Sequence, residues 1–127
     1  MKKLVLVVED NERNRKLLRT ILEFRGFEVI ECDDGEPSIA LAKERRPALI
    51  LMDIQLPRLD GISALKLIRA DPDTASIPVA AVTASVTPGE RERVAAAGFD
   101  AYIAKPIDMA AFNEAVDRLT AKTGDPP

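Results

Sequence analysis

Four short apolar runs in this chain each lead into residues that could hold a metal ion or a phosphoryl group. Leu4–Val8 runs into Glu9 and Asp10, Leu49–Met52 into Asp53, Val79–Val82 into Thr83, and Ala101–Ala104 into Lys105 and Pro106. Carboxylates crowded together repel one another and raise each other's pKa. A hard cation relieves that repulsion, and Mg²⁺ takes one or two carboxylates directly while keeping several waters. Asp10 and Asp53 read as direct ligands, Glu9 as a ligand through water, and the backbone carbonyl of Gln55 as the remaining protein oxygen. An aspartate can also be a nucleophile, forming an aspartyl-phosphate, while a metal and a lysine neutralise the transferring group. Lys105 is the only cation in the strand-end set. The Thr83 hydroxyl can donate to a phosphoryl oxygen, and Ala84 is small enough to leave the site open.

Each of these residues alone has an ordinary reading. Acids after a strand are often caps or turn residues, and for Glu9 and Asp10 alone that reading leads. For Asp53, behind four apolar residues, the two readings are even. Thr83 alone is a strand-end hydroxyl bonded locally, and Lys105 alone is a solvated charge. Most X-Pro bonds are trans, so the isomer at Lys105-Pro106 stays open. The weight lies in four such endings within one repeating frame.

That frame comes from alternating strand and helix patterns. The β-branched run Leu4–Val8 precedes Glu12–Arg25, where Leu17, Leu18, Ile21 and Leu22 fall at helical spacing and Gly26 supplies a stop. Glu28–Cys32 alternates polar and apolar, as a half-exposed edge strand does. Asp34-Gly35 reads as a turn, and Pro37 fits the first turn of a helix through Arg45. Ala48–Met52 is continuously apolar, as expected of a strand covered on both faces. Pro57 and Gly61 frame a loop before a helix carrying Ile62, Leu65 and Ile68. Pro78 opens the next strand, where a missing N–H is tolerated. Thr87-Pro88-Gly89-Glu90 reads as a capping box for a helix ending near Gly98. Asp108 is a cap for a last helix with Phe112, Ala115, Val116 and Leu119 inward.

Five βα units predict an α/β fold with three layers, doubly wound as (βα)₅ in the flavodoxin-like manner. The expected sheet is parallel and five-stranded, in order 2-1-3-4-5. Its first and third strands are central. The order reverses between them, beside Asp10 and Asp53, where open α/β sheets bind ligands.

The composition narrows the function classes. The 127 residues suffice for one domain. Residues 1–122 are assigned to it and 123–127 to a short tail. A formal net charge of -3 with interspersed charges argues against direct nucleic-acid binding. No stretch is long enough for membrane insertion. One cysteine, Cys32, excludes an internal disulfide and fits a cytoplasmic location. Histidine is absent, which removes Ser-His-Asp triads, His-ligated zinc and any role as a histidine phosphocarrier.

The residues that carry this pattern resemble the receiver domain of two-component response regulators, with a CheY-like fold, over essentially the whole chain. They are Val8-Glu9-Asp10-Asn11, Leu51-Met52-Asp53-Ile54-Gln55-Leu56-Pro57, Asp60-Gly61, Val82-Thr83-Ala84 and Lys105-Pro106. The resemblance is strongest to single-domain members. It implies that Asp53 accepts a phosphoryl group from a histidine kinase or histidine phosphotransfer protein, with Glu9 and Asp10 as the acidic pocket for Mg²⁺. It further implies that Thr83 is the switch hydroxyl, Lys105 the phosphate-binding lysine and Tyr102 the switch aromatic, whose bland alternative is a strand residue with a wet hydroxyl. The output then passes through the face of the fourth helix, fifth strand and fifth helix to a downstream protein. Glu9 stands where many members carry Asp, and Gln55 and Ser85 match positions that vary and tune phosphoryl lifetime. Met1 and the short tail suggest a single-domain protein without an output domain.

Three other functions compete with this reading. Metal-dependent phosphatases with an aspartate nucleophile commonly carry a second aspartate two residues on, where this chain has Gln55. The chain thus reads as a phosphoacceptor switch that catalyses at most its own phosphorylation and dephosphorylation, and not as an enzyme. A phosphorylation-independent interaction module would not need the strand-end set. A nucleotide-binding protein would carry a Gly-rich loop ending in Lys-Ser/Thr, which is missing.

Overall fold

The computed structural model describes residues 2–84 and 87–122. Among them strands and helices alternate as β1 (Leu4–Val8), α1 (Glu12–Phe24), β2 (Glu28–Cys32), α2 (Gly35–Arg45), β3 (Leu49–Met52), α3 (Gly61–Ala70), β4 (Val79–Thr83), α4 (Pro88–Ala97), β5 (Ala101–Ala104) and α5 (Met109–Lys122). All strand pairs are parallel and the order is β2-β1-β3-β4-β5, as expected. β3 and β4 are buried along their whole length, whereas β2 at the edge has no fully buried residue.

Period-2 alternation splits the core between the two faces of the sheet. Val5, Val7, Leu49, Leu51, Ala80, Val82 and Ile103 meet Leu18 and Leu22 of α1 and Phe112, Ala115, Val116 and Leu119 of α5. On the other face Leu6, Val8, Ile50, Met52 and Val79 meet Ala42 of α2 and Ala64, Leu65 and Ile68 of α3. A smaller cluster joins Ile54, Ala81 and Val94 of α4. Leu17, in register with the α1 stripe, is 48% exposed at the margin of that layer.

Local chemistry sets the helix ends. Asn11 caps α1 by accepting from the Asn14 N–H at 3.0 Å. At the other end Gly26, at φ 92, and Phe27 send their N–H groups to Glu23 and Leu22. That is the paired bonding of a left-handed helix stop. Thr87 caps α4 and Gly98, at φ 102, ends it. The Asp108 carboxylate accepts from the Ala110 N–H at 3.0 Å, beginning α5. Asp34-Gly35 differs from the turn read in the sequence: Asp34 is the N-cap of α2 and Gly35 its first residue. An Asp-Gly pair serves either purpose, and here the chain continues into helical hydrogen bonding. No helix among the described residues is long and apolar enough to cross a membrane.

Candidate phosphoryl and metal site

The parallel register sets Val8 opposite both Cys32 and Met52. The residues that follow, Glu9 and Asp53, therefore leave the sheet side by side. The Asp53 N–H donates to the Val8 carbonyl at 2.9 Å, and that of Glu9 to the Cys32 carbonyl at 3.1 Å. Glu9, Asp10 and Asp53 each offer one carboxylate oxygen, and these oxygens lie within 4.8 Å of one another. Glu9 is 2% exposed and Asp53 7%, while Asp10 is exposed.

Buried carboxylates require partners. The Lys105 ammonium supplies one to each, donating to Asp53 Oδ2 at 3.0 Å and to Glu9 Oε1. The other oxygens are also bonded: Asp53 Oδ1 accepts from the Gln55 N–H at 3.1 Å, and Glu9 Oε2 from the Asn11 N–H at 3.1 Å. Desolvation, reinforced by a hydrogen bond and repulsion from Glu9, pushes the Asp10 pKa up. Burial by itself would lower the Lys105 pKa, but its bonds to Glu9 and Asp53 and their negative charge leave it raised. Three carboxylates against one ammonium leave negative charge uncompensated, and the donors are hard oxygens. The residues present therefore fit a divalent cation such as Mg²⁺.

Thr83 ends β4 at the same sheet edge, fully buried, and its carbonyl accepts from the Lys105 N–H at 2.9 Å. The peptide bond from Lys105 to Pro106 is cis. Tyr102 pairs with Ala81, two residues before Thr83 and on the same sheet face. Its ring packs against the Ile54, Ala81 and Val94 cluster, and the Arg91 guanidinium lies 4.9 Å from the ring centroid. The Tyr102 hydroxyl oxygen is buried, without a hydrogen-bond partner among the described residues. Ser85 and the tail residues 123–127 lie outside the described residues.

Two supporting residues carry no sequence signal for their roles. Arg15 reaches back from α1 to the carbonyls of Glu9, at 3.0 Å, and Asp10, at 3.4 Å, and is itself held by Glu31 at 3.3 Å. The Asp34 carboxylate crosses to the loop after Asp53. The Arg15–Glu31 pair and the Asp34 bonds to residues 58 and 59 join segments that only the packed fold brings together.

A parallel 2-1-3-4-5 sheet with an acid cluster and a lysine at its carboxyl edge defines a class, and direct comparison agrees with it. Residues 5–117 match the response regulator receiver domain model, so the chain belongs to that family of two-component signalling domains. It is similar to the polar-differentiation response regulator DivK of Brucella anthropi, at 46% identity over 91% of this chain and 94% of that protein. Among solved structures it is similar to the receiver domain of the Pseudomonas aeruginosa sensor histidine kinase PA1611, which holds a magnesium ion in its active-site cleft. That match has a TM-score of 0.89 and 35% identity, covering 95% of this chain and 99% of the other. The receiver domain of the Francisella response regulator 1452 matches with a TM-score of 0.87 at 26% identity, covering 96% and 99%.

Proposed function

We propose that this chain is a single-domain response regulator, residues 1–122 forming the receiver, that works in the cytoplasm. Asp53 accepts a phosphoryl group from a histidine kinase or histidine phosphotransfer protein in a Mg²⁺-dependent reaction. The observation that carries this reading is the buried Asp53 carboxylate, grouped with two further carboxylates and bonded to the Lys105 ammonium. An Asp53 oxygen forms the new O–P bond as the P–N bond of the donor's phosphohistidine breaks, its electron pair returning to the imidazole. Lys105 stands where charge develops on the transferring group and neutralises part of it. Glu9, Asp10, Asp53 and the Gln55 carbonyl are the residues that would hold Mg²⁺, which supplies the remaining neutralisation.

Phosphorylation exchanges one negative charge at Asp53 for roughly two and adds three acceptor oxygens. Thr83 donates to one of them, and the space it leaves is taken up by Tyr102 on the same sheet face. The Tyr102 hydroxyl oxygen is already buried before phosphorylation. The switch is therefore a change in how often the inward arrangement is occupied, and it alters the α4–β5–α5 surface offered to a downstream protein. The likeness to DivK over nearly its whole length supports a regulator that acts through other proteins.

Peptide-mapped mass spectrometry after incubation with acetyl phosphate and Mg²⁺ tests the reaction. One phosphoryl group on the peptide carrying Asp53 is expected, lost entirely in Asp53→Asn. Undiminished labelling of that variant places the acceptor elsewhere. Partner binding that is identical with and without beryllofluoride, a phosphoryl mimic, would instead favour a phosphorylation-independent module.

A further inference from the structure

The β3–α3 loop carries Asp53 at its start and the Gln55 carbonyl just beyond, and a segment with no part in the chemistry above grips it. Asp34, at the end of the β2–α2 connection, is 6% exposed. Its Oδ1 accepts from three backbone N–H groups: Gly35 at 2.7 Å, Leu59 at 3.1 Å and Arg58 at 3.4 Å. Hydrogen bonds to a charged acceptor are the strong ones, so one oxygen fastens the N-terminus of α2 to the far half of the loop. Gly35 brings the two backbones together. A Cβ at this position would lie closer than 3.0 Å to the Leu59 carbonyl oxygen, a backbone atom that moves only if the loop moves.

A second close contact pins the loop's other margin. A Cβ on Gly61 would stand 2.9 Å from Ile54 Cα and closer still to the Asp53 carbonyl oxygen. The Gly61 N–H donates to the Ile54 carbonyl at 2.9 Å. Between the two clamps Leu56 is buried in the core. The loop therefore has little room to shift, and the Asp53 carboxylate is tied to it through the Gln55 N–H.

We propose that Asp34 and Gly35 are positioning residues for the phosphoacceptor site, holding the loop so that Asp53 and the Gln55 carbonyl keep the spacing a small octahedral cation demands. The inference rests on the reading that this site takes Mg²⁺ and a phosphoryl group. Mg²⁺ requires near-ideal geometry at about 2.0–2.1 Å, whereas Ca²⁺ accepts flexible coordination at longer distances. Loss of the clamp should thus weaken Mg²⁺ more than Ca²⁺, a signature that general destabilisation does not produce.

Calorimetric titration of Mg²⁺ and of Ca²⁺ into wild type, Asp34→Asn, Asp34→Ala, Gly35→Ala and the remote core variant Val116→Ala tests this. Asp34→Ala should raise the Mg²⁺ Kd about tenfold or more, as loss of outer-shell support does elsewhere, and shift the Ca²⁺ Kd by less. Asp34→Asn retains an acceptor oxygen and falls between. Gly35→Ala keeps the carboxylate and should reproduce the Mg²⁺ loss, and Val116→Ala should leave both affinities unchanged. Acetyl phosphate labelling of Asp53 in Asp34→Ala should recover at saturating Mg²⁺. Wild-type Mg²⁺ affinity in Asp34→Ala, or a loss shared equally by the two cations, overturns the proposal. If Asp34→Ala does not fold, wild-type Mg²⁺ affinity in both Asp34→Asn and Gly35→Ala overturns it as well. Failure of the wild type to take label at Asp53 refutes the reaction class instead, while the comparison of Mg²⁺ affinities still stands.

Discussion

Helices α3 and α4 flank the same end of the sheet and are anchored very differently. α3 buries Gly61, Ala64, Leu65 and Ile68, is capped by Asp60, and presses its first residue onto the backbone of Asp53 and Ile54. α4 buries Val94 alone. It meets β5 through Val94 and the Arg91 guanidinium, both against Tyr102. A reactive carboxylate needs fixed neighbours, whereas a reporting surface must rearrange at low cost. Few buried apolar contacts mark the segments of a protein that open locally. The fold thus sets a rigid flank beside Asp53 and a lightly held one beside Tyr102.

The sharpest test of this contrast is thermodynamic. Leu65→Ala, at a fully buried site, should cost about 2–5 kcal/mol in urea unfolding. Val94→Ala removes only two methyl groups and should cost about 1.5–2.5 kcal/mol, from roughly 0.8 kcal/mol per buried carbon plus a cavity contribution. A larger loss at Val94 than at Leu65 would break the comparison. A smaller difference should appear in hydrogen exchange, where amides of α4 are expected to exchange about tenfold faster than those of α3 in the unphosphorylated protein. Protection of α4 equal to that of α3 would remove the basis for a loosely held reporting face.

The smallest effect concerns the cost of the rigid flank, which keeps like charges together. The Asp10 pKa is raised in the folded chain. Such a group contributes stability below its unfolded pKa and loses it as pH rises through the folded value. At neutral pH, ionised Asp10 therefore disfavours the metal-free fold slightly. Asp10→Asn should melt a little higher than wild type at neutral pH without metal, and the gap should close at about pH 4 as the wild-type carboxyl protonates. Saturating Mg²⁺ should reverse the order at neutral pH. A variant that melts lower than wild type at neutral pH in metal-free buffer would show that the repulsion is already relieved.

Much of the architecture could be read locally. Apolar runs of four or five residues, helical stripes such as Phe112, Ala115, Val116 and Leu119, and caps at Thr87 and Asp108 all act over a few residues. The alternating pattern of Glu28–Cys32 marked the edge of the sheet, and the apolar first and third strands its middle. The grouping of Glu9, Asp10, Asp53 and Lys105 followed from strand order alone, because parallel strands deliver their carboxyl ends to one edge. Asp34 was less legible: an Asp-Gly pair announces a bend, and only the approach of residues 58 and 59 turns it into a clamp.

The order of elements, the sheet topology and the set of side chains at the strand ends were written in the sequence by itself, since periodicity and capping depend on near neighbours. Tertiary structure alone decided that one lysine bridges Glu9 and Asp53, and that Glu31 on β2 holds the Arg15 guanidinium. It also decided that the Tyr102 hydroxyl oxygen is buried, without a partner among the described residues. Those outcomes depend on distances between residues far apart in the chain, and close packing sets such distances only once every layer is in place.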